Sequence, residues 1–250
     1  MSLIEWSVGS WRLTLERTLA APTALGRAYD RAAWRWDASV CALGYRRAYA
    51  RLFECLAQDD WLRDLRTGAR VLDAGIGTAA LSAALVSALA QAPEVDGVDL
   101  SSRMLRRARA TLERLRRSQL VVRMHCGDVN RMPYPDEGLD MVMSAHLLEH
   151  SATPAETIEE MTRVLRVGAP LLIVTSRATA MNALHGMRWR YRAIAPEQLC
   201  EWLDRAGLHD VRRYPLGRRW SLPGQSSEAY IGRKGRARSL PSARDASGRR

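Results

Sequence analysis

Short apolar runs alternate with stretches of helical spacing between residues 67 and 232. Runs of this length bounded by turn residues are typical of buried strands, and apolar positions three or four apart are typical of amphipathic helices. The five clearest runs predict strands at Ala69–Ala74, Glu94–Asp99, Leu120–His125, Leu139–Ala145 and Ala169–Ser176. Val211 and Ala229–Ile231 mark two last strands.

The helices between these strands begin at recognisable residues. Ser101 or Ser102 can cap a helix that carries Met104 and Leu105. Pro154 suits the first turn of another helix, and Pro196–Ala206 predicts a later one that ends before Gly207. Alternation of strands and helices favours an α/β, Rossmann-like fold, with a mostly parallel sheet of seven strands and helices on both faces.

The first 66 residues predict a helical extension rich in tryptophan. An apolar stripe at helical spacing is formed by Ile4, Val8, Trp11, Leu15 and Leu19. Such a helix could lie in a membrane interface or pack on the domain. Trp6 and Leu13, on the opposite side, favour burial.

The C-terminal end differs in composition from the rest of the chain. Most of the net charge of +11 lies from Arg212 onward. Residues 233–250 are mainly arginine, serine, glycine and proline, so we expect a disordered basic tail. The predicted organisation is therefore an extension at 1–66, a catalytic domain at 67–232 and a tail at 233–250.

Composition excludes several classes of protein. The chain of 250 residues contains no apolar run long enough to predict a transmembrane helix, and its start does not resemble a signal peptide. The cysteines, at positions 41, 55, 126 and 200, form no CxxC pair, so neither a disulfide framework nor a zinc site is indicated. We expect a cytoplasmic location.

The strongest motif is VLDAGIGTAA, which begins at Val71. A strand runs into a glycine turn that opens a helix, and this arrangement lets a ligand approach the backbone closely. The next strand ends at Asp99, where a carboxylate can accept both hydroxyls of a ribose. Asp128 follows the third strand and could accept from an adenine amino group.

The same glycines also satisfy a loose nicotinamide-dinucleotide fingerprint. Asp73 argues against that interpretation, because a pyrophosphate site disfavours a negative charge two residues before the first glycine. S-adenosylmethionine carries a sulfonium and an ammonium group, and an acid suits both. A dinucleotide fingerprint also usually opens its domain, whereas here a long helical segment precedes it.

In these motifs the chain resembles the class I S-adenosylmethionine-dependent methyltransferases. It is similar in particular to the group containing quinone-biosynthesis C-methyltransferases and phospholipid N-methyltransferases. The stretches that carry the resemblance are VLDAGIGTA, GVDLSSRML, CGDVNRMPYPDEGLDMVMS, HLLEH and RVLRVGAPLLIV. One departure is Ala79, where the family often has a third glycine.

The resemblance implies a cofactor, S-adenosylmethionine, with S-adenosylhomocysteine as its product. The first acid and the glycines would line its methionine end, the second acid its ribose, and the third acid with apolar neighbours its adenine. The residues implied in cofactor binding are Asp73, Gly75, Gly77, Asp99, Leu100, Met104, Asp128, Val129 and Ser144. Ser144 and His146 would lie next to the transferable methyl group.

The segment HLLEH, from His146 to His150, also matches the HxxEH string of certain zinc proteases. Its place directly after the fourth strand favours a methyltransferase role, and we expect no metal. His150 is either a structural histidine or the base that orients the acceptor. The phospholipid methyltransferases that the chain resembles pair a histidine at this place with an N-terminal tyrosine, which would be Tyr29 here; Tyr45 and Tyr191 are weaker candidates.

The acceptor is predicted only by class. Arg188–Arg192, with alternating cations and aromatics, follows the fifth strand, where this fold commonly covers its acceptor. We expect a lipid or amphiphile, such as a phospholipid head-group amine or a quinone precursor, methylated at an anionic membrane surface on the inner face. A soluble metabolite or natural product is the alternative. An RNA-associated protein is a third hypothesis, disfavoured because the fourth strand ends in Ser144-Ala145-His146 rather than in Asn/Asp-Pro-Pro-aromatic.

Overall fold

The structure is a computed structural model, and it describes residues 3–8, 11–16, 43–177, 194–217 and 221–236. Its strands are β1 Leu3–Val8, β2 Trp11–Glu16, β3 Arg70–Ala74, β4 Glu94–Asp99, β5 Val121–Cys126, β6 Met141–Ala145, β7 Pro170–Ser176, β8 Leu208–Pro215 and β9 Ser227–Lys234. Its α-helices are α1 Tyr45–Gln58, α2 Ala80–Ala88, α3 Ser102–Glu113, α4 Pro154–Val164, α5 Pro196–Arg205 and α6 Leu222–Ser226.

Seven strands form the main sheet, in the order β5-β4-β3-β6-β7-β9-β8. The first five of these are parallel, and β9 lies antiparallel between β7 and β8. The predicted Rossmann-like sheet is therefore confirmed, and its strand Glu94–Asp99 is found with the expected bounds. Because β3 lies between β4 and β6, the chain leaves the centre of the sheet in opposite directions, and a crevice forms at the carboxyl ends of these strands.

Helices cover both faces of the sheet. On one face, Phe53 of α1 and Leu85 of α2 pack with Met143 of β6. On the other face, Ile158 of α4 and Leu199 of α5 pack with strand residues from the opposite side of the same sheet. The helical segment before β3 is thus part of the domain core.

The predicted helix starts are found in the structure. The Ser101 hydroxyl accepts a hydrogen bond from the Met104 N–H at 3.1 Å, which caps α3. Pro154 and Pro196 each lie in the first turn of their helices. Gly207 follows α5 with a φ of +83°, a left-handed conformation that glycine adopts without steric cost.

The prediction of an amphipathic helix over Ile4–Leu19 is wrong for the residues of this segment that the structure describes. Residues 3–8 and 11–16 are β1 and β2, which pair antiparallel with Ile4 opposite Leu15 and Val8 opposite Trp11. The sequence explains the error, because apolar residues also alternate with polar ones from Ile4 to Val8 and from Trp11 to Glu16, and Gly9-Ser10 between them is a hairpin signal. The apolar stripe at the N-terminus therefore gives no support for membrane binding through an interfacial helix.

The last strand is longer than expected. β9 continues through Lys234, two residues into the segment predicted to be a tail. The Lys234 Nζ donates to the carbonyl oxygens of Arg163 and Leu165, at 3.2 and 2.8 Å. These bonds tie the end of β9 to the connection between α4 and β7.

We predict that Phe53→Ala lowers the free energy of unfolding by about 3–5 kcal/mol, because it empties a fully buried aromatic site between α1 and the sheet. Chemical denaturation at constant temperature measures the loss. Glu54→Ala, one position further on the exposed side of α1, is the control and should change stability by less than about 0.5 kcal/mol. Equal stability of the two variants would show that α1 is not part of the core.

Candidate active site

The glycine turn that follows β3 is held against the end of β4. The N–H groups of Gly75 and Ile76 both donate to the Val98 carbonyl oxygen, at 2.8 and 3.0 Å. Gly75 and Gly77 have φ values of +73° and +53°, and a Cβ on Gly75 would lie 2.9 Å from the Leu147 side chain. A Cβ on Gly77 would meet nothing closer than 4.0 Å, so that side of the turn is open to a ligand.

Asp99 joins this turn to the start of α3. Its Oδ2 accepts from the Gly77 N–H at 3.0 Å, and its Oδ1 accepts from the Ser101 N–H at 2.8 Å. Each carboxylate oxygen can accept a further hydrogen bond. The carboxylate is thereby fixed beside the open glycine turn, which is the position expected for a ribose acceptor.

Asp73 lies under the same turn and is only 2% exposed. Its Oδ2 accepts from the Ser82 hydroxyl of α2 at 2.5 Å. Burial raises the pKa of Asp73 to about 7, although the hydrogen bond from Ser82 acts in the opposite direction. A cation bound nearby would restore the charged form, because opposite charges favour ionisation of a carboxyl group.

The residues expected around an adenine lie at the ends of β4 and β5. Met104 and Val129 are buried, and Leu100 is partly exposed. The Asp128 Oδ1 accepts from the Asn130 N–H at 2.9 Å, so this acid shapes its own turn as well as standing at the rim. Its second oxygen is the one suited to a ligand amino group.

Two residues of the motif have roles that the sequence did not reveal. The Ser144 hydroxyl is buried and donates to the Ala74 carbonyl oxygen at 2.8 Å, so it ties β6 to the end of β3. Ala79 has a φ of +63° at the start of α2, a left-handed conformation that costs an L-residue about 1–2 kcal/mol. This strain explains why the family that the chain resembles often has a glycine at this position.

His146 lies directly after β6 and is bound on one side by a buried acid. Its Nδ1 is 3.2 Å from the Glu149 Oε1 and 3.2 Å from the Ser176 hydroxyl. Glu149 is 1% exposed, and its Oε1 also accepts from the Ser176 N–H at 2.6 Å. Burial alone would raise the pKa of Glu149, but the bond and charge of His146 and the Ser176 N–H lower it to about 2.

Tyrosines of α1 cover this histidine. The Tyr45 ring meets the His146 ring edge-on, with centroids 5.4 Å apart, and the Tyr45 hydroxyl lies 3.0 and 2.9 Å from the hydroxyls of Ser226 and Ser227. The pKa of Tyr49, one turn further along α1, is raised by burial and by the negative charge of its neighbours, which include Asp73 and Glu149. The groups around β3, β6 and β7 therefore form one site.

The structure does not treat the two histidines of the HLLEH segment alike. His150 ends a 3₁₀ turn, its Nδ1 is shielded from solvent, and burial lowers its pKa. Tyr29, expected as its partner, lies outside the described residues, as do Tyr191 and residues 188–192. Glu149 is not among the site residues that the sequence predicts, although its place three residues after His146 is a readable signal.

Within the described residues, no group of three or more histidine, cysteine or acidic side chains could hold a metal ion. In that same part of the chain, no helix has the length and apolar character needed to cross a membrane.

The donor set fits S-adenosylmethionine. Gly77 leaves an open surface on the turn, Asp99 offers a fixed acceptor, and Asp73 is a buried acid whose charge needs a nearby cation. The sulfonium and ammonium groups of this cofactor would supply that positive charge. The sheet order and the site at its carboxyl edge together define a class I methyltransferase fold.

Comparison with known proteins agrees with this class. Residues 72–173 match the family model described as a methyltransferase domain. The chain is 36% identical to a phosphatidylethanolamine N-methyltransferase of Cereibacter sphaeroides over 107 residues, which are 43% of this chain and 50% of that protein. It is 29% identical to a ubiquinone/menaquinone biosynthesis C-methyltransferase of Bordetella parapertussis over 150 residues, 60% of this chain and 55% of that protein.

The same fold is found in the crystal structure of magnesium protoporphyrin IX methyltransferase from Synechocystis with bound S-adenosylmethionine, at a TM-score of 0.67 and 16% identity, covering 88% of this chain and 100% of that one. Residues 72–173 thus match a methyltransferase domain, and the chain shares its fold with a methyltransferase that binds S-adenosylmethionine. It spans about half the length of the two curated relatives named above.

We predict that the affinity for S-adenosylmethionine rises with pH until Asp73 is ionised. Since the pKa of Asp73 is raised to about 7 and a cationic ligand selects the carboxylate, binding should be about tenfold weaker at about pH 6 than at about pH 7.5. Calorimetric titration across this range measures the slope. Asp73→Asn should bind more weakly and without this pH dependence, whereas the control Asp140→Asn, altered at the opposite edge of the sheet, should keep it.

We predict that Asp99→Ala weakens binding of S-adenosylmethionine at least tenfold, because it removes a charged acceptor and frees the glycine turn. Asp99→Asn should lose less, since its amide oxygen can still accept from Gly77. Fluorescence titration compares both with Asp204→Ala, a control on the exposed side of α5. Unchanged affinity in Asp99→Ala would remove this carboxylate from the cofactor site.

Proposed function

We propose that the protein transfers a methyl group from S-adenosylmethionine to a lipid or amphiphilic small molecule. The observation that carries the first half of this proposal is the Asp99 carboxylate bound to the Gly77 N–H at the mouth of the glycine turn. When bound, the cofactor supplies an electrophilic methyl group on a sulfonium. The protein then has to hold the two reactants in line and exclude water, which needs no metal.

The acceptor class is supported by the relatives and by the lining of the site. One relative is named for phosphatidylethanolamine and another for ubiquinone and menaquinone biosynthesis. Beside His146, the site presents the aromatic rings of Tyr45 and Tyr49 together with hydroxyl groups. Aromatic walls with a few polar groups suit a molecule that has an apolar body and one reactive polar head.

Residues of this chain divide the work in this proposal. Asp73 and Asp99 bind and orient the donor from the β3 and β4 side of the crevice. His146, Tyr45 and Tyr49 border the acceptor from the β6 and α1 side. Ser144 acts through the backbone, because its bond to Ala74 fixes the end of β3 against β6.

We propose that this reaction takes place at an anionic membrane surface. The support comes from the charge of α3 and not from the apolar stripe at the N-terminus. The apolar side of α3 packs inward through Leu105 and Leu112. Its outward side and the turn after it carry exposed arginines at 106, 109, 114 and 116. Arginine near an anionic lipid surface contributes about 1 kcal/mol each, so this face would hold the protein at such a surface.

A soluble metabolite is the second candidate acceptor. The observation that favours it is the β1–β2 hairpin, which replaces the interfacial helix expected over the N-terminal stripe. Without that helix, membrane contact rests on the charge of α3 alone.

The acceptor test offers methyl-labelled S-adenosylmethionine and purified protein to a total lipid extract and, separately, to the water-soluble metabolites of the same cells. We expect label in the organic phase, in a lipid or quinol product. Asp99→Ala should abolish the labelling, and Asp204→Ala should retain it. Label confined to the soluble fraction would favour the second candidate, and no label in either fraction would contradict both.

Flotation with vesicles of phosphatidylcholine and phosphatidylglycerol tests the surface. We expect binding that increases with the anionic lipid fraction, decreases with salt, and is lost in the double variant Arg106→Glu/Arg109→Glu. The double variant Arg63→Glu/Arg66→Glu, with the same charge change at exposed positions elsewhere, is the matched control. Retained binding in the α3 variant would contradict this surface.

A further inference from the structure

We infer that His146 takes the proton that the methyl acceptor loses, and that Glu149 is the positioning residue that holds His146 in the required tautomer. This inference rests on the proposed function and deepens it, since it states that the acceptor's reacting group carries a proton it must lose. A hydroquinone hydroxyl and a primary ammonium are groups of this kind.

The tautomer follows from the acid on one side of the ring. Glu149 is buried and its pKa is lowered to about 2, so it is a carboxylate at neutral pH and can only accept hydrogen bonds. The Glu149 Oε1 accepts from the Ser176 N–H and lies 3.2 Å from His146 Nδ1, so we assign the ring hydrogen to Nδ1, from which it can be donated to the carboxylate. In the neutral ring, Nε2 then holds the lone pair and is the basic nitrogen.

The basic nitrogen lacks a partner in the part of the chain that is described. His146 Nε2 is shielded from solvent and has no hydrogen-bond partner among the described residues. A buried polar atom left in this state costs about 1–3 kcal/mol, so a ligand hydrogen there would be stabilising. An acceptor O–H or N–H satisfies the nitrogen and is at the same time placed for proton transfer.

The ring is fixed in place from several elements. Its backbone has a φ of +55°, a left-handed conformation, and its N–H donates to the Val174 carbonyl oxygen at 2.8 Å. Tyr45 of α1 packs edge-on against the ring. Strained backbone of this kind is concentrated at functional sites, where the surrounding structure maintains it.

Transfer of a proton to His146 accompanies transfer of the methyl group to the acceptor. The acceptor's heteroatom–hydrogen bond breaks and the hydrogen passes to His146 Nε2, while the acceptor forms its bond to the methyl carbon. The methyl carbon–sulfur bond breaks and its electron pair stays on sulfur, which becomes a neutral thioether. The positive charge thus moves from sulfur to the His146 ring, where the Glu149 carboxylate stabilises it.

Other titratable groups also face this ring. His150 and Glu149 share its turn, and Tyr45 packs against it from α1. Tyr49 lies next to Tyr45 and is influenced by the charges of Asp73 and Glu149. Of these, Glu149 is the ionised carboxylate in direct contact with the ring. Removing its charge should make the imidazolium that forms during proton transfer less stable.

The first experiment reads the tautomer directly and needs no acceptor. Nitrogen-15 NMR of the histidine rings, assigned with His146→Asn, should show hydrogen on His146 Nδ1 and none on Nε2 at neutral pH. In Glu149→Gln the preference for this tautomer should weaken, because an amide can present an N–H as well as an oxygen to the ring, and in Glu149→Asp it should return toward that of the unaltered protein. Hydrogen on Nε2 at neutral pH, or a tautomer preference unchanged by Glu149→Gln, would overturn the inference.

The second experiment uses the acceptor found in the labelling test. His146→Gln should lower kcat about a hundredfold while its affinity for S-adenosylmethionine, measured by calorimetry, changes less than threefold. Glu149→Gln should lower kcat, and Glu149→Asp, which keeps the carboxylate, should recover part of the loss. His209→Gln, at an exposed position on β8, is the control.

Each outcome decides between assignments. A large loss of kcat in His150→Gln together with a nearly unchanged kcat in His146→Gln would give the proton-accepting role to His150 and overturn the inference. If no acceptor is found, the NMR result still tests the His146–Glu149 pair, so failure of the proposed function and failure of this inference are distinguishable. Thermal unfolding of every variant identifies any loss that arises from misfolding.

Discussion

The rest of the site depends on the contact between the glycine turn and the end of β4. The Val98 carbonyl oxygen accepts from two N–H groups of the turn, and the Asp99 carboxylate accepts from a third. These bonds keep Gly75 and Gly77 in left-handed conformations, with an open side facing the crevice. Because β3 is the central strand, any shift of this turn would move Asp73, Asp99 and the bonded Ser144 together.

The two buried acids of the crevice, Asp73 and Glu149, have opposite electrostatic surroundings. Asp73 is a buried acid that forms no ion pair among the described residues and is held by the Ser82 hydroxyl. Glu149 is a buried acid stabilised by His146 and by a backbone N–H. Their pKa values therefore move in opposite directions, to about 7 and about 2. The first acid suits binding of a cation, and the second suits the permanent positioning of a histidine.

The sequence predicted what local patterns control. The strand ends, the Ser101 cap and the order of Asp73, Asp99 and Asp128 around the sheet all follow from spacing and residue type. Three features did not follow. The N-terminal residues satisfy helical and alternating patterns at once, and strand pairing decided between them. The contact of Tyr45 with His146 joins residues about a hundred positions apart. The role proposed for His146 rather than His150 rests on the contact of the His146 Nδ1 with Glu149, and spacing alone does not determine which histidine makes that contact.

If the crevice is built for S-adenosylmethionine rather than for a dinucleotide, the two ligands must differ in binding. Calorimetric titration of the purified chain with each ligand measures this difference directly. We predict one molecule of S-adenosylmethionine bound per chain and no heat of binding with the nicotinamide dinucleotides. Binding of a nicotinamide dinucleotide without binding of S-adenosylmethionine would contradict it.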